Sequence, residues 1–166
     1  MLRVVLAVLL AVALLGVTAP AVEDARVERS ATIAEGELAA FETAVQDLVA
    51  TEDPAPDAER AARRTLTLDV PTRTSFTTAR VAFVALGGLP DRTIEPVAGT
   101  VIAYQLQGTT YTRRLPVPVR VLEPDGDLGP AGEPLVVRGT TRVTLLLLER
   151  GGDPVVAVTD GDPDAG

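Results

Sequence analysis

The hydrophobic pattern changes period twice along the chain. Val4–Val22 (VVLAVLLAVALLGVTAPAV) is uncharged through 19 positions. As a helix this run would rise about 28 Å, close to the hydrocarbon thickness of a bilayer. From there the apolar positions thin to Val27, Ala31, Ala34, Leu38, Phe41, Val45 and Leu48. Their alternating intervals of four and three predict one stripe along an amphipathic helix. Gly36 costs this helix about 1 kcal/mol relative to Ala, and Thr51-Glu52-Asp53-Pro54 ends it. Val4 to about Ala50 is therefore expected as one nearly continuous helix, with Pro20 as the place for a kink.

Beyond a Pro- and charge-rich connection, Thr51–Arg63, the period drops to two. Arg64–Val70 alternates strictly and reads as a strand. Val81–Leu86 is a short apolar run closed by Gly87-Gly88, the pattern of a buried strand. Val101–Leu106 and Tyr111–Leu115 flank Gln107-Gly108-Thr109-Thr110, a hairpin signal. Val117–Leu122 begins among Pro116 and Pro118, which lack amide donors, so it belongs at an edge or bulge. Glu123–Pro134 is a loop. Leu135–Arg138, Val143–Glu149 and Val155–Thr159 complete seven or eight short strands. The expected fold class is α+β: a long N-terminal helix, transmembrane then amphipathic, followed by an antiparallel β-sheet or small β-sandwich. The corresponding divisions are 1–22 (anchor or signal segment), 23–53 (amphipathic helix), 54–63 (linker), 64–159 (β-rich domain) and 160–166 (disordered acidic tail).

Flanking charge gives the first segment a direction. Arg3 and the amino terminus precede it, and Glu23 and Asp24 follow. The positive-inside rule leaves the N-terminus in the cytoplasm and sends the rest outward. Cleavage at Ala19-Pro20-Ala21 would make the segment a signal peptide and the product a secreted protein. The length of the apolar run, its single Arg and the helical pattern that follows it favour an uncleaved, single-pass anchor in the cell membrane. Two readings compete for the stripe Val27–Leu48: it packs on the sheet of its own domain, or it is a face for a partner helix on another membrane or surface protein.

Composition narrows the chemistry. The 166 residues contain no Cys and no His, and all 15 basic residues are Arg. That removes disulfides, thiolate nucleophiles, the usual neutral-pH general base, and zinc and haem sites of the common kinds. Residues 23–166 carry a net charge of −9, which repels phosphate backbones, so no nucleic-acid partner is expected. Many carboxylates, no Lys, and an aromatic content of 3% look like a haloarchaeal protein, whose carboxylates stay hydrated in molar salt. An ordinary acidic protein from a high-GC bacterium is the other reading.

Candidate chemical groups are few. Asp125-Gly126-Asp127 and Asp160-Gly161-Asp162-Pro163-Asp164 put carboxylates in turns, but with neither the ligand count nor the bidentate Glu of a calcium loop. Arg63-Arg64 and Arg113-Arg114 read as solvated strand ends or partners for the excess carboxylates. The hydroxyls of Thr72–Thr78 have no His or Lys to activate them. No catalytic, cofactor-binding or metal-ligating residues are assigned, and no cofactor is expected.

The order of parts resembles a type IV pilin-like subunit: membrane helix, amphipathic continuation, β-sheet head. The chain departs from that pattern where Arg3 is followed directly by Val4-Val5, without the small residue of an archaeal prepilin leader. The opening LRVVLAVLLAVALLGVTAPAVEDARVERS, with EPLVVRGTTRVTL (Glu133–Leu145), is similar to a haloarchaeal family of unknown function. That resemblance implies a place near type IV pilus-like secretion components, and it names no catalytic residues. The expected function is thus a non-enzymatic, membrane-anchored subunit of a pilus-like or secretion assembly. The alternatives are a surface binding module and, more distantly, a carboxylate-dependent hydrolase.

Overall fold

The computed structural model describes residues 2–75, 77–90 and 100–161; within the helix, the side chains at 2, 11 and 14–19 are outside that description. Helix α1 (Leu2–Thr51) runs through Pro20 without interruption. The described residues then form eight strands: β1 (Arg63–Asp69), β2 (Val81–Leu86), β3 (Val101–Leu106), β4 (Thr109–Arg114), β5 (Val119–Val121), β6 (Leu135–Val137), β7 (Thr140–Arg150) and β8 (Asp153–Asp160). They form two four-stranded sheets, ordered β1-β7-β8-β5 and β4-β3-β2-β6. All pairings are antiparallel except β5 with β8. Among the described residues no helix is long and apolar enough to cross a membrane. The undescribed side chains at 11 and 14–19 belong to the uncharged run Val4–Val22.

The two sheets and the second half of α1 close on one apolar cluster. Leu68 of β1 and Val143, Leu145 and Leu147 of β7 enter it from the first sheet, and Val84, Ile102 and Leu106 from the second. The three β7 residues alternate along the strand and so share its inner face. Ala34, Leu38, Phe41, Val45 and Leu48 of α1 complete the cluster and are buried, while Val27 and Ala31 are half-buried against it. The stripe therefore meets this protein's own sheets. The partner-helix reading of Val27, Ala31, Ala34, Leu38, Phe41, Val45 and Leu48 is corrected from Ala34 to Leu48, where the side chains are buried in the protein's own core, while Val27 and Ala31 keep part of their surface.

The opposite face of β7 is covered too. Leu146 and Leu148 pack with Ala55, Ala61, Leu122 and Ala157 in a second, smaller cluster. Residues 54–63, expected as a linker, are stitched to β7 by main-chain hydrogen bonds: Ala55 donates to Leu147 at 3.1 Å, Glu149 to Ala55 at 2.7 Å and Leu147 to Ala62 at 3.1 Å. The β3–β4 turn is tighter than its sequence suggested. Gln107 (φ 49°) and Gly108 (φ 79°) form a two-residue hairpin loop, so β4 begins at Thr109. Close approach requires glycine at Gly88, where a Cβ would collide with the Gly132 carbonyl oxygen. β8 extends to Asp160, and residues 162–166 of the expected disordered tail lie outside the described residues.

Phe41 is fully buried where the helix meets the core. Phe41→Ala should destabilise the chain by about 3–5 kcal/mol, read as a lower urea midpoint with an unchanged slope.

Candidate functional site

Among the described residues two surface features stand out: the exposed start of α1 at Val4–Leu10 and Val12, and a slot between α1 and β4. Val4, Val5, Leu6, Val8, Leu9, Leu10 and Val12 are exposed, from 56% to 67%. At 100° per residue these seven positions and Ala7 surround the helix, leaving no polar face. A helix lying in a membrane interface needs such a face; one that is apolar all round needs cover on every side.

The helix enters the head just after this segment. Ser30 is buried; its hydroxyl donates to the Ala79 carbonyl and accepts from the Ala79 amide, both at 2.9 Å. The Ala79 amide also reaches the Arg26 carbonyl at 3.3 Å. This joint ties α1 to the segment before β2. Nearer the apolar segment, the Gln107 side chain at the hairpin tip donates to Glu23 at 3.4 Å. A groove of about 730 Å³ beside the joint is lined by Val22, Ala25, Arg26, Arg29, Thr32 and Thr77, among others.

The slot holds both tyrosines of the chain. The two-residue turn sets Tyr104 of β3 opposite Tyr111 of β4. Their rings stack with centroids 4.8 Å apart and planes inclined by 11°. Tyr104 is buried and donates its hydroxyl to Glu35 at 3.2 Å. Burial, then that hydrogen bond and the Glu35 charge, push its pKa up to about 12. Tyr111 is 45% exposed. Arg113 pairs with Glu42 at 3.0 Å, and the remaining space, about 170 Å³, is bounded by Glu35, Leu38 and Thr112. On the other side of the helix Arg64 pairs with Asp47 at 2.9 Å. Burial raises the Glu37 pKa, opposed by the hydrogen bond its carboxylate accepts from the Asp69 amide.

The paired arginines singled out in the sequence thus divide between the two sheets, with Arg64 and Arg113 each bonded to α1. Asp125 accepts from the Asp127 amide at 3.2 Å, a turn-forming bond. Of the second acidic run, Asp162 and Asp164 lie outside the described residues. Among the described residues no group of three or more acids is placed to hold a metal ion. Ser75 in the Thr72–Thr78 segment accepts from the amides of Thr77 and Thr78, both at 3.1 Å, and organises that turn; Phe76 lies outside the described residues. The joint at Ser30 and the tyrosine slot were both missed in the sequence. Ser30 could have been found as the hydroxyl three residues after Val27, on the stripe itself.

One family model, described as "Domain of unknown function (DUF7311)", matches residues 1–161. No curated protein and no solved structure matches the chain.

Replacing Ser30 with Ala strands a buried carbonyl and weakens the joint. The expected loss is about 1–3 kcal/mol of stability, with faster amide exchange at Ala79 as its local sign. In a Tyr111→Phe chain the sole tyrosine is Tyr104. Its absorbance titration should show one step, later than that of a free phenol. Because the folded pKa lies above the unfolded value, the associated stability is present below pH 10 and is lost as pH rises toward 12. Tyr104→Phe should remove that part of the alkaline loss.

Proposed function

The chain belongs to the family described as a domain of unknown function (DUF7311), and for it we propose a non-enzymatic role as a membrane-anchored surface subunit. Its first helical half spans the bilayer and its β head stands outside the cell. The observation that carries this reading is the ring of exposed apolar side chains from Val4 to Val12. Burying seven such side chains in hydrocarbon is worth on the order of 10 kcal/mol or more. Arg3 on one side and Glu23 and Asp24 on the other set the orientation.

Support for a subunit role, over a freely tethered binding module, comes from the continuity of α1 from the apolar segment into the core. A helix that protrudes at one end and packs on a β head at the other has the order of parts of a pilin-like subunit. The favoured setting is a pilus-like or secretion assembly of a salt-adapted archaeon, in which this chain is a structural or accessory component.

Because the chain has no cysteine, one introduced thiol reports on one place. Asp125→Cys, in an exposed loop of the head, should react with a membrane-impermeant maleimide in intact cells, and the full-mass chain should resist alkaline carbonate extraction. Leu9→Arg should weaken insertion, at a cost of about 2.5–3.5 kcal/mol near the bilayer centre. Labelling only after lysis would reverse the orientation. A mature mass beginning at Val22 would replace the anchor by a secreted head.

A further inference from the structure

We propose that the outer edge of β4 is a strand-addition site for an extended segment of a partner protein. Among the described strands the other three sheet edges are closed or short. β1 runs beside α1, which accepts the Asp69 amide through Glu37. β5 and β6 have three residues each, and β5 follows Pro116 and Pro118. β4 has six residues, all exposed, with no proline and no bulge. Such an edge is a template for pairing unless something blunts it.

The hairpin fixes which groups are on offer. A two-residue loop makes Leu106 and Thr109 a hydrogen-bonded pair, so Thr109, Tyr111 and Arg113 direct their main-chain groups at β3. The Leu115 amide, bonded to Thr100 at 2.6 Å, continues the same alternation. Thr110, Thr112 and Arg114 therefore point their amides and carbonyls outward, where no described strand pairs with them.

Side chains define the occupant. Tyr111 and Arg113 lie on the sheet face that also carries Tyr104 and Ile102, beside the slot of about 170 Å³. A strand added here would place an aromatic or aliphatic side chain next to Tyr111. On the other face Arg114 makes no side-chain hydrogen bond or ion pair among the described residues, so a carboxylate belongs opposite it. A second copy in the same membrane does not fit, a point that rests on the anchor reading. The contacts Glu23–Gln107 and Glu42–Arg113 show β4 running in the same direction as α1. A symmetric antiparallel β4 pair would therefore point the two anchors in opposite directions.

The test uses the full chain in detergent micelles and a capped peptide, Glu-Val-Thr-Tyr-Thr-Val, designed to lie antiparallel to β4 with Glu opposite Arg114. Binding is read by NMR, residue by residue. The proposal expects slowed exchange at the amides of Thr110, Thr112 and Arg114, with little change at Thr109, Tyr111 and Arg113, which β3 already holds. Thr112→Pro removes one outward amide without touching the β3 ladder and should weaken binding about tenfold, whereas Thr112→Val should bind as the parent does. No protection at the alternate amides, equal binding by Thr112→Pro, or self-pairing of the chain through β4 would each overturn it. Micelle insertion, read separately from protease protection of residues 2–22, reports on the anchor and is unaffected by any of these outcomes.

Discussion

Burial of the second half of α1 is the constraint on which the two sheets depend. Each sheet presents an apolar inner face, and both close on the same helical stripe from Ala34 to Leu48. The helix is thus a shared wall of the core. Its polar flanks are tied to one strand of each sheet, through Arg64–Asp47 and Arg113–Glu42. Those pairs are partly exposed, so each contributes little on its own and less as salt rises. Core burial responds in the opposite sense to excluded salts, which strengthen it. Raising salt would therefore shift the weight of the fold onto Phe41, Leu48 and their neighbours and away from its ion pairs.

Much of this architecture was legible in the sequence. The uncharged run and the helical spacing after it placed α1 nearly to its ends, a continuous apolar run placed Val81–Leu86, and the hairpin signal placed Val101–Leu106, both strands residue for residue. The misses have physical causes. Residues 54–63 join β7 through main-chain bonds, which have no side-chain signature. The parallel contact between β5 and β8 depends on spatial order, about which a linear pattern is silent. β7 starts at Thr140, earlier than its apolar run, because polar residues there pair with β1.

The tyrosine slot was lost through a small error of register. A four-residue loop at Gln107–Thr110 would set Tyr104 opposite Arg113, whereas the actual two-residue loop sets it opposite Tyr111. The residues were visible, but their meeting was not. A change of turn length moved the ring contact, the position of Arg113 and the direction of every outward amide on β4 together.

An uninterrupted α1 makes the molecule a lever. With no break between Val4 and the half in the core, a turn at the start of the helix is passed on to the head. From Glu23 to Thr51 the arm is about 43 Å long. A helix tilt of about 20°, ordinary for a membrane span, would carry its far end sideways by about 15 Å. Small changes in how the first segment is packed would thus be magnified at the distal surface of the head.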